Sequence, residues 1–209
     1  MSRSENLAEV RARVADAARR SGRDSSGIEL MAVSKTWPVE AIKEVVADGQ
    51  RLFGESRLQE SQPKIEALGK ELSWHFIGTL QRNKIRKILP LFGTLHGVSS
   101  LVLAEAVDRI AGELGLRTEV YLEVNLGDEE SKKGMSADEL RRDAPRIFEL
   151  RNLQLGGLMC LPPYADDSEE TRPFFVKLRQ LRDELVERHG VKLPGLSMGM
   201  SGDFEVAIE

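Results

Sequence analysis

Seven strand-length apolar runs, each handing on to an amphipathic stripe, recur along the 209 residues and leave few folds open. The runs fall at residues 28–35, 51–53, 74–77, 94–98, 119–124, 153–159 and 195–198. Between them apolar residues recur at the period of a helix, as in Val39, Ile42, Val45 and Val46, in Leu101, Ala104, Val107, Ile110 and Leu114, and in Phe174, Leu178, Leu181 and Leu185. The first run, Ile-Glu-Leu-Met-Ala-Val-Ser-Lys, lies between Gly27 and Pro38 and suits a strand buried on both faces, as in a parallel sheet. Alternation of this kind, without a Pro-, Gly- or Ser-rich linker, predicts a single parallel α/β domain over residues 1–209.

An open dinucleotide-binding sheet calls for Gly-x-Gly-x-x-Gly after its first strand. Ser34-Lys35-Thr36-Trp37-Pro38 stands there instead, which favours a closed TIM-type (β/α)8 barrel. An extra helix over residues 4–21, with Leu7, Val10 and Val14 on one face and Gly22 as its stop, precedes the first strand. Seven runs are one fewer than such a barrel needs, and the sequence stops at Glu209 as another helix begins. The expectation is a C-terminally incomplete chain whose eighth strand is missing. Ser136 with Glu139 predicts a capping box, and Pro63 and Pro145 predict a kink or a late start in their helices.

A formal net charge of -4 points to neither a nucleic acid nor a membrane surface as partner. Arg82, Lys84, Arg86 and Lys87 surround Ile85 with no aromatic interleaving, as on the solvated face of an amphipathic helix. One cysteine, Cys160, makes no internal disulfide, and with no secretory signal or apolar span the expected compartment is the cytoplasm. His75, His96 and His189 lack metal-ligand spacing. His75, between Trp74 and Phe76, reads as a packed, hydrogen-bonded histidine, and Cys160 as a small buried hydrophobe.

In a parallel barrel the residues that follow each strand converge on one face, where ligands bind. Lys35 ends the first run; Ser56 follows the second, residues 78–84 the third, Ser99 and Ser100 the fourth, and Asn125 the fifth. The seventh ends in Ser197-Met198-Gly199-Met200-Ser201-Gly202, a small-residue turn rich in backbone N–H groups and leading into a helix. Such a turn suits an anion, and in barrels the loops after the last strands commonly hold a phosphate. Lysine position alone is equally that of a side chain in solvent, and the turn alone that of an ordinary loop. Together they suggest a phosphorylated carbonyl compound held covalently, which describes pyridoxal phosphate as a Schiff base on Lys35. Residues 127–134, with Asp128, Glu129, Glu130, Lys132 and Lys133, read as a solvated flap over the mouth.

Several segments resemble one family: Ala-Val-Ser-Lys-Thr at 32–36, Phe-Gly-Glu at 53–55, Trp-His-Phe-Ile-Gly-x-Leu-Gln-x-Asn-Lys at 74–84, Val-Asn at 124–125, Glu-Ser-Lys-x-Gly at 130–134, Gly-Leu-Met at 157–159 and Leu-Ser-Met-Gly-Met-Ser at 196–201. In order and spacing they are similar to the pyridoxal phosphate homeostasis proteins, single-domain relatives of the barrel of alanine racemase. The resemblance implies Lys35 as the aldimine lysine, with Ser197, Met198, Gly199, Ser201, Gly202, Asn125 and Ser56 around the cofactor. It also implies a role in intracellular pyridoxal phosphate homeostasis without established turnover. Ser56-Arg57 stand where the family commonly has Asn-Tyr, and the family's later Arg-x-Gly segment is not in the sequence.

The alternative is a single-domain amino-acid racemase, which needs a second proton donor opposite Lys35. Tyr121, in a strand, and Tyr164, in a loop, are the only tyrosines. A third possibility is a barrel that binds only protein or RNA, which leaves Lys35 and the turn without a purpose. The partners expected are the small-molecule cofactor and amino acids, and the expected state is a monomer.

Overall fold

The computed structural model describes residues 2–127 and 133–209. Its centre is a parallel sheet in the order β1 (Ala32–Val33), β2 (Leu52–Glu55), β3 (Ser73–Phe76), β4 (Thr94–Val98), β5 (Thr118–Asn125), β7 (Leu153–Met159) and β8 (Gly195–Ser197). A two-residue strand, β6 (Met135–Ser136), pairs with β5 off this path and has no counterpart in the apolar pattern. The helices are α1 (Arg3–Arg20), α2 (Val39–Ala47), α3 (Leu58–Leu68), α4 (Ile85–Ile88), α5 (Leu101–Glu113), α6 (Ala137–Phe148), α7 (Arg172–His189) and α8 (Phe204–Ile208).

The sheet is curled into a barrel wall. In a flat sheet β4 and β8 would lie three strand spacings apart, about 14 Å. Instead His96 of β4 and Ser197 of β8 are joined by a hydrogen bond of 2.7 Å. The outermost helices meet as well, because α1 packs against both α2 and α8. Arg3 pairs with Glu44 and Arg11 donates to the Asp48 carbonyl on one side, while Arg13 pairs with Glu205 and Arg23 donates to the Ile208 carbonyl on the other. The expected extra N-terminal helix is therefore a clasp over the gap between β1 and β8, which do not pair.

The two faces of the wall differ in chemistry. On β5 the buried residues Thr118, Val120, Leu122 and Val124 alternate with half-buried Glu119, Tyr121, Glu123 and Asn125. Val120, Leu122 and Val124 join Leu103, Val107, Leu140, Ile147, Leu178 and Leu185 in the apolar layer beneath the helices. The second set faces the barrel interior, where Tyr121 stacks on His96 and Glu119 accepts from Thr94. Barrel interiors are ordinarily packed with branched aliphatic residues, so this polar lining marks the inner face as more than a core.

The expectation for the first strand needs correction, and that for the two prolines is narrowed. The first strand spans two residues instead of eight, because Gln50 donates its side-chain amide to the carbonyls of Leu30 and Leu52 and takes the place of ladder partners there. One further ladder bond, from Ser34 N–H to the Gly54 carbonyl, leaves Lys35 in the turn just beyond the strand. Pro63 and Pro145 lie inside α3 and α6, which run through them without a late start. The capping box at Ser136 and Glu139 forms as expected, with reciprocal bonds of 3.1 and 2.8 Å.

Candidate functional site

The site is built at the carboxyl ends of the strands, where β1 delivers Lys35 and β8 delivers the 197–202 turn. Lys35 is exposed and makes no ion pair among the described residues. Its backbone is held firmly from behind. The Ser34 carbonyl accepts from Trp37 N–H at 3.1 Å and from Lys64 Nζ at 2.8 Å, while Ser34 Oγ donates to Glu55 Oε1 at 2.8 Å. Lys64 also pairs with the same Glu55 oxygen at 2.8 Å, and both side chains are almost wholly buried. Thr36, directly after Lys35, sits at φ 70°, a left-handed conformation that costs a β-branched residue on the order of 1–2 kcal/mol. A buried clamp of Ser34, Glu55 and Lys64 thus sustains a strained turn that carries a free amine.

Sequence reasoning missed the Glu55–Lys64 pair. The signal was present in α3, where Ser61 and Lys64 share a buried face with Leu58 and Ile65. A lysine on an apolar stripe needs a partner, and Glu55 supplies it nine positions earlier.

Across the gap, the 197–202 turn has a defined internal geometry. Asp203, which is buried, accepts Met200 N–H through Oδ1 at 2.5 Å, and the Met200 carbonyl accepts from Asp203 and Phe204 N–H. Gly199 is at φ 86°, and a Cβ there would come within 2.9 Å of Ala207 Cβ and Phe204 Cα. Only glycine lets the turn lie so close to α8. The amides of Gly199, Ser201 and Gly202 donate to no acceptor among the described residues, and Ser201 and Gly202 are exposed. Unpaired amides gathered in such a bend are suited to an anion.

Ser197 connects this turn to the interior. Its Oγ lies 2.7 Å from His96 Nδ1; His96 Nε2 lies 3.0 Å from His75 Nδ1; and His75 Nε2 lies 3.2 Å from Ser73 Oγ. Burial pushes His75 down to about 4 and His96, with the neighbouring His75 adding to the effect, down to about 3. Both rings are neutral at physiological pH. Tyr121 lies flat on His96, with ring centroids 4.4 Å apart, and burial beside Glu119 and Glu29 pushes its phenol up to about 12. His75 is hydrogen-bonded as the sequence suggested. The link from His96 to a residue 101 positions away carries no sequence signal.

The other expected site residues are distributed around the same rim. Asn125 ends β5 and accepts Gly127 N–H at 3.2 Å through its side chain. Ser56 follows β2, and its carbonyl would lie 2.2 Å from a Cβ on Gly78, so the loops after β2 and β3 touch through backbone. Met198 packs against the apolar layer. Lys133 donates to Thr79 Oγ1 at 2.6 Å, bringing the loops after β5 and β3 together, whereas Asp128, Glu129, Glu130 and Lys132 of the expected flap lie outside the described residues. Cys160 is buried beside Asp203, and its thiol is pushed up to about 12 by that burial, as a small hydrophobe's would be. Tyr164 is 87% exposed. Ile85 and Ile88 of α4 are buried while Arg86 reaches Glu113, so the basic cluster is a solvated helix face. No three His, Cys, Asp or Glu side chains among the described residues form a metal-binding group, and no described helix is long and apolar enough to cross a membrane.

Residues 6–208 match the family described as alanine racemase, N-terminal domain. Over its whole length the chain is 42% identical to the pyridoxal phosphate homeostasis protein of Aquifex aeolicus, of which it covers 92%. This chain belongs to that family. It is 41% identical to the pyridoxal phosphate homeostasis protein of Escherichia coli K12, with 97% of the chain and 88% of the relative covered. The structure of PipY of Synechococcus elongatus, with PLP bound, superimposes with a TM-score of 0.84 at 38% identity, covering 93% of this chain and 92% of that one. An alanine racemase of Clostridium difficile, 18% identical and half covered, shares the fold with a TM-score of 0.76. The family resemblance and the TIM-type curled sheet expected from sequence are both borne out. Lys35, the clamp behind it and the 197–202 turn lie within the matched segment of this family member.

Proposed function

We propose that this chain binds pyridoxal 5'-phosphate at the rim formed by the ends of β1 and β8 and serves its homeostasis inside the cell. One observation carries the reading. A free amine on a rigid turn and a bend with unpaired amides stand at the same end of one curled sheet, in a chain whose relatives bear the name pyridoxal phosphate homeostasis protein. The PipY neighbour with PLP bound supports the same cofactor.

When bound, the cofactor supplies an aldehyde that condenses reversibly with an amine. Lys35 is the residue placed to offer that amine, and the Ser34–Glu55–Lys64 clamp fixes its backbone. The amides of Gly199, Ser201 and Gly202 are placed to receive a phosphate, with Asp203 holding the bend open from beneath through Met200 N–H. Ser197 adds a hydroxyl beside them, and Asn125, Ser56 and Met198 supply the surrounding wall. The single free thiol fits the reducing cytoplasm.

The test is direct. Purified protein is incubated with pyridoxal phosphate, reduced with borohydride, digested and mapped by mass spectrometry. A phosphopyridoxyl group on Lys35, absent in Lys35→Ala, is the expected result. Label spread over surface lysines, unchanged in that variant, overturns the assignment.

A further inference from the structure

Two neutral imidazoles and two hydroxyls, Ser73, His75, His96 and Ser197, are strung in one continuous line through the barrel interior. A neutral imidazole has one N–H donor and one bare acceptor nitrogen, and a single proton lies in each contact. The line therefore has only two fully satisfied arrangements.

In the first, Ser73 O–H donates to His75 Nε2, His75 Nδ1–H to His96 Nε2, and His96 Nδ1–H to Ser197 Oγ. The Ser197 hydroxyl proton is then free to point out to the turn. In the second, every bond is reversed. Ser197 donates inward to His96 Nδ1, both histidines carry their proton on Nε2, and Ser197 presents only lone pairs to the turn.

We infer that this line is a tautomeric relay coupled to the 197–202 turn, in which a phosphate seated on the turn selects the arrangement with both histidines protonated on Nδ1. The inference rests on the proposed anion site and deepens it. An anion repels the lone pairs that the second arrangement turns towards it and accepts the hydroxyl proton that the first one offers. The two ends differ in the way a relay needs: Ser73 is exposed at the amino end of β3, Ser197 is half-buried beside the turn, and His96 between them is 97% shielded from solvent. The flanking groups leave the line undisturbed. Tyr121 is stacked on the face of His96, and Glu119 accepts from Thr94 instead.

The change balances without net charge. Each proton crosses its own hydrogen bond towards Ser73, Ser73 releases its outward hydroxyl proton to water, and Ser197 takes one from water. His75 and His96 are positioning residues here, since they act on the anion only through the Ser197 hydroxyl.

Two-bond proton–nitrogen correlation spectra of the whole chain, carrying 15N-histidine, distinguish the tautomers directly. Inorganic phosphate and pyridoxal phosphate are titrated separately, with the Gly199 and Ser201 amides reporting occupancy. The expected result is that both His75 and His96 move towards the Nδ1–H form as those amides shift, with either probe. Ser197→Ala is expected to bind phosphate about tenfold more weakly, as loss of one hydrogen bond to a charged acceptor implies, with histidines that no longer respond. Occupied amides with unchanged tautomers, or histidines already wholly Nδ1–H before any ligand, overturn the relay while leaving the binding site intact. Amides that respond to neither probe remove the site itself, and the relay with it.

Discussion

Two polar networks lie on opposite faces of the sheet, and they solve burial differently. Behind β1 and β2, Ser34, Glu55 and Lys64 keep full charges out of water, with Glu55 Oε2 left without a hydrogen-bond partner. Inside the barrel, Ser73, His75, His96 and Ser197 keep none. A buried ion pair holds one geometry firmly, because separating its members strands a charge. A neutral line of imidazoles has two fully hydrogen-bonded arrangements. The first suits a fixed turn under Lys35, and the second a group that must adapt to what lies on the rim.

Among single substitutions at neutral pH, the largest effect should come from breaking the charged network. Lys64→Met strands Glu55 and is expected to lower the unfolding free energy by about 3–5 kcal/mol in urea titration. A loss below about 1 kcal/mol would show the pair to be wet, and the contrast between the networks would vanish.

Acid should act chiefly on the neutral network. Both histidines have folded values below their unfolded one, so the folded state resists taking up their protons. Their stabilisation is complete above pH 6.5, is lost as pH falls from there towards 4 and 3, and levels off below. The slope reaches about 1.4 kcal/mol per pH unit for each ring while it resists protonation. Thermal unfolding of the parent and of His96→Gln from pH 7 to 4 measures it, and the variant should show the shallower decline.

Replacing both charges together, as Glu55→Gln with Lys64→Met, is expected to fall within about 2 kcal/mol of the parent, because no charge is then stranded. Double-mutant analysis of the same urea titrations provides the figure. The smallest effect belongs to the exposed end of the neutral line. Ser73→Ala should change stability by no more than about 0.5 kcal/mol, since water replaces its hydroxyl. A larger loss would mean that Ser73 is structural.

The outer face of the sheet was readable in the chain because it follows periodicity. β4 and β7 match their apolar runs residue for residue, and α1, α5 and α7 follow their stripes. The inner face was not readable, since its order is set by contacts across the ring that no local pattern records. His96 and Ser197 look unrelated until the sheet curls, and the position of Lys64 on the apolar stripe of α3 calls for a partner without saying that it is Glu55. The shortness of β1 had a similar origin in Gln50, whose side chain displaces a ladder partner. Lys35 and the 197–202 turn were legible because the sequence there is itself unusual: a lysine closing an apolar run, and a bend made of Ser, Met and Gly.

The clasp made by α1 carries a consequence for synthesis. Arg13 and Glu205 are 192 positions apart, so the ring acquires its fastening only once the segment carrying Glu205 has left the ribosome. Until then the first helix has half its partners, and its buried Val14, Ala17 and Ala18 lack Ile208 and Phe204 to rest on. A nascent chain stalled short of that point should be digested at the first helix well before the wall of the barrel is touched.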